Sequence, residues 1–461
     1  MSGRETFATR FGMVASMIGV AVGLGNLWRF PYMTGEFGGT AFVAFYLLVV
    51  AAIGVPGLMA EWTLGRHTRR GPVGAFERAG LRGGRVLGWF FFLGVAGATG
   101  YYTGVIGWTA YHALSEITRL AGAAVVDPSL VLPPDSGFRP GSYALAAGLT
   151  LLVTAAAAAV LLRGVRRGIE AASRVIAPGL FVILLVLIVR SVTLDGAADG
   201  VAWYLGGFDP EELTPSVMIA ALGQAVFSLG LGGAYMVVYG SYLDADEALL
   251  GNALYTAAGD TAAGLLGGLA IFPAVFALGM PPASGPDLVF STLPDVFAAM
   301  PAGALLGALF FAALAAVAFL SDVAAFEVLV AGLTDNTGVP RRKAVYLVAV
   351  LVFLFSLTPM VNMELFVPWD LAFGSGLQMG GALLAALCVG WALDRGAVLR
   401  ELARRPGAPT GGEAEGEPAG ERRGSTADVS PWLYRWIRYV IPGAIGLVAA
   451  WWLASDVLGL A

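Results

Sequence analysis

Charge is scarce in this sequence: only 13% of its 461 residues are Asp, Glu, Lys or Arg, and Lys343 is its one lysine. Histidine and cysteine are scarcer still. His67 and His112 are the only histidines, so neither a histidine metal cluster nor a histidine-based triad can be assembled. The single cysteine, Cys388, lies in an apolar run and excludes a disulfide within the chain. No phosphate-binding loop of the P-loop type is present, which leaves no sign of ATP drive. A folded basic face that could hold nucleic acid is missing too. No catalytic residue is assigned, and the chain is not read as an enzyme.

What fills the sequence instead is hydrocarbon. Hydrophobic residues make up 57% of it and the mean hydropathy is +0.77, far too apolar for an ordinary soluble protein. Charge-free runs reach the length that spans a bilayer, about 20 residues. They include Gly38 to Ala60, Ser142 to Leu162, Leu213 to Leu243, Thr261 to Pro286, Gly303 to Ser321 and Leu371 to Leu393. So many in series predict an all-α polytopic membrane protein. Eleven spans are expected, near 10–31, 38–62, 85–116, 142–163, 170–191, 215–242, 247–280, 303–333, 342–359, 369–394 and 432–455. The first run is expected to stay in the mature protein, because no small-residue cleavage site follows it.

Arginines set the orientation. Arg4 and Arg10 precede the first span; Arg66, Arg69, Arg70, Arg78, Arg82 and Arg85 lie between the second and third; Arg163, Arg166 and Arg167 follow the fourth. Arg341, Arg342 and Lys343 follow the eighth, and Arg395, Arg400, Arg404 and Arg405 the tenth. All lie on one side if the N-terminus is cytoplasmic. The expected location is therefore the plasma (inner) membrane, with the C-terminus on the extracellular or periplasmic side. Residues 395–430 are rich in Gly, Pro and Glu and read as a disordered cytoplasmic linker before the last span, 431–461.

Two spans share an unusual centre, "AVGLGN" at 21–26 and "SLGLGG" at 228–233. They lie five spans apart, an odd number, so the halves 1–191 and 215–394 would have opposite topology, as in inverted-repeat transporters. One glycine pair would merely let helices pack closely. Two in register, each beside polar side chains, predict helices broken at the midplane, where freed carbonyls can hold a cation and freed amides a carboxylate.

These residues carry a specific resemblance. "RETFATRFGMVASMIGVAVGLGNLWRFPYMTGEFGGTAF", "GVPGLMAEWTLGR", "LLRGVRRGIEAASRVIAPGLF" and "GQAVFSLGLGGAYMVVYGSY" resemble the neurotransmitter:sodium symporter family, especially its bacterial and archaeal amino-acid transporters. The resemblance implies a five-plus-five inverted repeat with broken spans 1 and 6, the leucine-transporter-like fold. It also implies a sodium-coupled symporter with its substrate at the midplane.

Roles follow from the resemblance position by position. Ala21, Asn26 and Ser228 match ligands of a first sodium; Gly19, Val22, Val317 and Ser321 match a second. Gly23, Leu24 and Gly25 would meet a substrate carboxylate, with Tyr102 donating its hydroxyl and Phe227 as an aromatic lid. Monoamine carriers of the family resemble this motif with an aspartate at position 23, so Gly23 implies an amino acid. Arg29 and Asp370 match an outer gate, and Arg4 and Asp335 an inner one, with Tyr242 beside them. Glu61 is expected to bond the unwound part of span 6. Gly168 and Pro178 match a feature that loosens span 5.

Three departures from the family pattern matter. Asp260 stands where a sodium-binding asparagine is expected, and Gly264 where chloride-dependent relatives have serine. Asp260 is expected to bind sodium and to replace chloride, which is then not required. Leu320 stands where a threonine or aspartate oxygen is expected, followed by Asp322. That carboxylate could replace the lost ligand or face the substrate, or the second site could bind weakly. Ala98, Gly230, Gly233 and Ala325 are small, so a roomy pocket is expected. The reading is import of a bulky hydrophobic or aromatic amino acid. The alternatives are a basic amino acid recognised through Asp322, or a non-transporting sensor on the same fold. The partners inferred are the substrate and the bilayer, with no nucleic acid and no obligate protein partner.

Overall fold

The computed structural model describes residues 10–123, 126–244, 247–283, 285, 288–403, 430–454 and 458–459. Seven helices are individually long and apolar enough to cross a bilayer: Thr40–Thr68, Gly84–Leu120, Pro140–Leu162, Gly168–Val192, Leu249–Ala277, Gly303–Thr337 and Met363–Ala392. An eighth crossing is the pair Gly12–Ala21 and Gly25–Glu36, bent by 51° at its break. The sixth span is likewise two pieces, Pro215–Ser228 and Tyr235–Ser241. Arg341–Ser356 makes the ninth, and the eleventh runs from Ser430 to Trp452 through a π-turn at Trp436–Val440. The eleven expected spans are all present, within a few residues of their expected bounds.

The two breaks have local causes. In the sixth span Gly230 and Gly232 adopt φ of +63° and +86°, the left-handed region that a continuous helix excludes, and Ala234 follows at +57°. Glu61 from the second span accepts the freed N–H of Gly232 at 2.7 Å, as expected. In the first span, Gly23 and Leu24 direct their N–H groups to side chains instead of to the preceding turn.

In lipid, apolar burial gives little preference for helix over lipid contact, so close packing decides where helices meet. The inner half of the sixth span shows this against the second. A Cβ at Gly65 would lie 1.9 Å from the Val237 carbonyl, and one at Gly240 would lie 2.6 Å from the Trp62 Cα. Backbones thus touch, which fixes the lower rim of the break. The third and eighth spans cross the centre of the bundle and supply the other walls of the cavity between the breaks.

One expectation is corrected. The segment after the tenth span does not begin as a disordered linker: Arg395–Ala403 is a helix. It docks because Arg66, buried in the second span, pairs with Glu401 at 2.6 Å and also donates to the carbonyls of Glu401 and Glu247. Reading composition alone overlooked that a long-range ion pair could order the first turns. Residues 404–429 of that segment lie outside the described residues.

Candidate functional site

Between the two breaks lies a cavity walled by the first, third, sixth, eighth and tenth spans. Of the residues expected around a substrate, Ala21, Gly23, Gly25, Ala98, Tyr102, Phe227, Ser228, Gly230, Ser321 and Ala325 line it. Leu24 contributes its N–H, which donates to the Tyr102 hydroxyl oxygen at 3.2 Å. That bond leaves the hydroxyl hydrogen of Tyr102 free to serve an acceptor. The Ser321 hydroxyl flanks Gly23 on the other side: a Cβ there would stand 2.7 Å from both hydroxyl oxygens.

Below Ser228 a fully buried carboxylate organises the polar core. Asp260 accepts from the Asn26 amide at 2.7 Å and from the Ser228 hydroxyl at 2.9 and 3.1 Å. Asn26 also reaches the Asp260 carbonyl at 2.9 Å and Ser228 at 3.1 Å. Its Oδ1 accepts the Gly23 N–H at 2.9 Å. Polar side chains from the first, sixth and seventh spans therefore meet at one carboxylate, with the Asn26 amino group rather than its oxygen turned to Asp260. With that amide turned end for end the set would offer the hard oxygen ligands that suit an alkali cation. Sequence reading overlooked Tyr46, whose hydroxyl approaches Asp260 at 3.4 Å. A lone tyrosine in an apolar run gave no sign of its partner.

The second expected ion position is less complete. The Ser321 hydroxyl lies between the carbonyls of Val20 and Val22, each at 3.0 Å, and that of Gly19 at 3.4 Å. Val317 is buried one helical turn away. Leu320 brings hydrocarbon where an oxygen was needed: its Cδ1 would be 2.9 Å from a Cβ on Gly19. Asp322 does not replace it. Its carboxylate accepts from Thr103 on the third span at 2.9 Å and is absent from the cavity wall. Successive residues of a helix are rotated by about 100°. With Ser321 facing the first span, Asp322 must face elsewhere, which corrects its expected place among the substrate contacts.

Gly233 is also misplaced in the sequence reading. It leaves no empty space, because a Cβ there would lie 1.9 Å from the Tyr235 ring, which fills the gap and lines the cavity. Tyr235, Gln378, Thr99, Tyr101 and Val20 complete the wall and were not expected. Four of these, Thr99, Tyr101, Tyr235 and Gln378, are polar residues on charge-free runs and were legible signals.

At the outer end Arg29 and Asp370 are not ion-paired among the described residues. The Arg29 guanidinium donates to Gln224 at 2.9 Å and lies 4.7 Å from the Phe227 ring centre. Gln224 in turn donates to the Gly25 carbonyl at 2.8 Å, so it ties Arg29 to the first break. Asp370 is engaged by Tyr101 on the far side of the cavity roof. Beyond Phe227 a wider cavity of about 370 Å³ opens, sharing Phe227 and Gln378 with the inner one.

At the opposite end Arg4 lies outside the described residues. Its expected partner Asp335 accepts the Gly71 N–H at 2.7 Å, and its carbonyl accepts from Arg70. Tyr242 donates to Glu327, which holds Arg341 at 2.7 and 2.9 Å. In the fifth span Gly168 falls in a π-turn, Val165–Glu170, and Pro178 lies inside the helix that follows.

A bundle of eleven spans, two of them broken around one central polar cavity, defines a membrane carrier with the leucine-transporter-like inverted-repeat fold. The chain matches the sodium:neurotransmitter symporter family over residues 4–124 and 139–402, and it belongs to that family. It is 32% identical over 417 residues to a sodium-dependent transporter of Haemophilus influenzae, covering 85% of this chain and 90% of the other. A sodium-dependent transporter of Bacillus subtilis is similar at 31% over 467 residues, 96% of each chain. The fold is similar to the solved structure of MhsT in complex with L-phenylalanine, with a TM-score of 0.79 and 32% identity over 97% of this chain and 99% of that one. The protein is a sodium-dependent membrane transporter, not an enzyme.

Proposed function

We propose that this transporter imports a bulky hydrophobic or aromatic amino acid by sodium symport and alternating access, without a need for chloride. The observation that carries the reading is the Asp260 carboxylate, bonded to Asn26 and Ser228 where both breaks meet, directly beside the cavity that holds Gly23 and Tyr102. In this reading Asn26, Ser228, Asp260 and the Ala21 carbonyl bind sodium, and Leu24, Gly25 and Tyr102 hold the substrate carboxylate. MhsT, similar over nearly the whole chain, is seen with L-phenylalanine. Ala98, Gly230 and Ala325 put only small side chains on this part of the cavity wall. A basic substrate is disfavoured because Asp322 does not line the cavity.

Asp260 supplies a fixed negative charge next to the cation, so a mobile anion is superfluous. Uptake of radiolabelled phenylalanine and tryptophan into proteoliposomes under an inward sodium gradient is expected to be equal in chloride and gluconate. A large loss in gluconate sinks the anion argument; no accumulation in either buffer sinks symport itself.

Leucine at position 320 removes one ligand from the second ion position, and Asp322 offers no replacement. The sodium dependence of uptake is therefore expected to have a Hill slope near one. A slope near two would show that carbonyls and Ser321 suffice for a second ion.

The remaining assignments belong to the same reading. The arginine-rich loops lie in the cytoplasm of a cell whose plasma membrane holds the protein, with residues 1–191 and 215–394 as the two repeats. Arg29 with Asp370, and Arg4 with Asp335, close the outer and inner ends in turn, and no protein partner is required.

A further inference from the structure

The cavity has two chemically different ends. One, around Gly23, Tyr102 and Ser321, is built of backbone amides and hydroxyls. The other combines the small apolar residues Ala98, Gly230 and Ala325 with an aromatic hydroxyl and a carboxamide, Tyr235 and Gln378. A pocket meant only for hydrocarbon would have no use for those two polar groups, since each must be satisfied or costs binding free energy.

Among the residues that line this end, one buried polar atom is left without a partner; Asp322, outside the lining, keeps a second one in its Oδ2. Thr99 donates to the Val95 carbonyl at 2.6 Å, and Tyr101 is engaged with Asp370. Gln378 and Tyr235 both line this end of the cavity. The Gln378 Oε1 atom is buried and has no partner. Both side chains are held in place by their own backbones: Tyr235 rests on Gly233, and the Gln378 carbonyl abuts Gly232, where a Cβ would stand 1.6 Å away. Gln378 lines both this cavity and the wider one, so the donor for its oxygen comes from what enters them, water or substrate. Asp322 gives one oxygen to Thr103 and does not line this wall, so no anion meets an entering group directly and a neutral donor fits best.

We propose that Tyr235 and Gln378 form a side-chain subsite that selects amino acids ending in a neutral hydrogen-bond donor, a phenol hydroxyl or an indole N–H, over pure hydrocarbon. The inference rests on the amino-acid reading above and narrows its substrate class. Hydrogen-bonding sites discriminate more strongly against analogues that lack the group than apolar pockets do, because the site's own polar atom is then left buried and bare.

The test is a thermal-shift titration of the purified full-length protein in NaCl and in KCl with L-phenylalanine, L-tyrosine, L-tryptophan and L-leucine. The better of tyrosine and tryptophan is expected to bind at least about tenfold more tightly than phenylalanine in NaCl. In Gln378→Leu that advantage should shrink to within about twofold while sodium-dependent phenylalanine binding persists, and Tyr235→Phe should reduce it in part. Phenylalanine within about threefold of both donors in the unmodified protein overturns the proposal, even if the variants fail to fold. So does an advantage that survives Gln378→Leu unchanged. If none of the four, nor any other natural amino acid, gives a sodium-dependent shift, the amino-acid reading falls and takes this subsite with it. That result is distinguishable from equal binding of phenylalanine and tyrosine, which removes the subsite alone.

Discussion

Asp260→Ala is expected to abolish sodium-driven uptake. The carboxylate is fully buried, and its hydrogen-bond partners, Asn26, Ser228 and Tyr46, are neutral. In the proposed ion site it is therefore the one full negative charge opposite the cation. Removing one member of a buried charge pair costs about 2–5 kcal/mol, roughly 30- to 5000-fold in affinity. Sodium affinity, read from the sodium concentration that half-saturates uptake, should fall by that factor. The conservative change is more informative. Asp260→Asn keeps the size and one oxygen but loses the charge, and it adds an N–H beside the Tyr46 and Ser228 hydroxyls, with only a glycine at position 264. Uptake by Asp260→Asn should then respond to chloride where the unmodified protein does not. Wild-type sodium affinity in the alanine variant would remove Asp260 from the ion site.

Gly23→Ala should eliminate substrate binding while leaving the protein folded in the membrane. The added carbon would sit 2.7 Å from two hydroxyls on two different spans, Tyr102 and Ser321, neither free to retreat. Tyr102 is tied to the Leu24 N–H, and Ser321 to the carbonyls of Val20 and Val22. Overpacking alone costs about 1–3 kcal/mol, and a displaced carboxylate contact about the same again. Together they predict at least about a 30-fold loss of amino-acid affinity at saturating sodium. Equilibrium binding with normal membrane insertion as control decides it. Unchanged affinity would move the carboxylate site away from the first break.

The fold was legible because its determinants are local: charge-free runs set the spans, and glycines mark the breaks, with positive φ at Gly230 and Gly232 in the sixth span. Asn26, Ser228 and Asp260 were legible as well, since a polar residue in lipid needs a partner and few were on offer. The failures share one physical origin. Which way a helical side chain points depends on the rotation of the helix against its neighbours, so Asp322 was assigned to a surface about 100° from the one Ser321 occupies. Gly233 suggested space, but its neighbour Tyr235 took that space. Gln224, which joins Arg29 to the first break, and Arg66, which pins Arg395–Ala403, act through contacts across hundreds of residues that no spacing announces.

The side chain of Asn26 has one oxygen and two neighbours that want it. It now gives that oxygen to the Gly23 N–H and turns its amino group to Asp260. A cation at Asp260 asks for the oxygen end, and the half-turn that supplies it takes the acceptor away from Gly23. The N–H so released points into the break, where a carboxylate can accept it. In the proposed function the ion would thus free the N–H that meets the amino acid, and by linkage each ligand would raise the affinity for the other by the same factor.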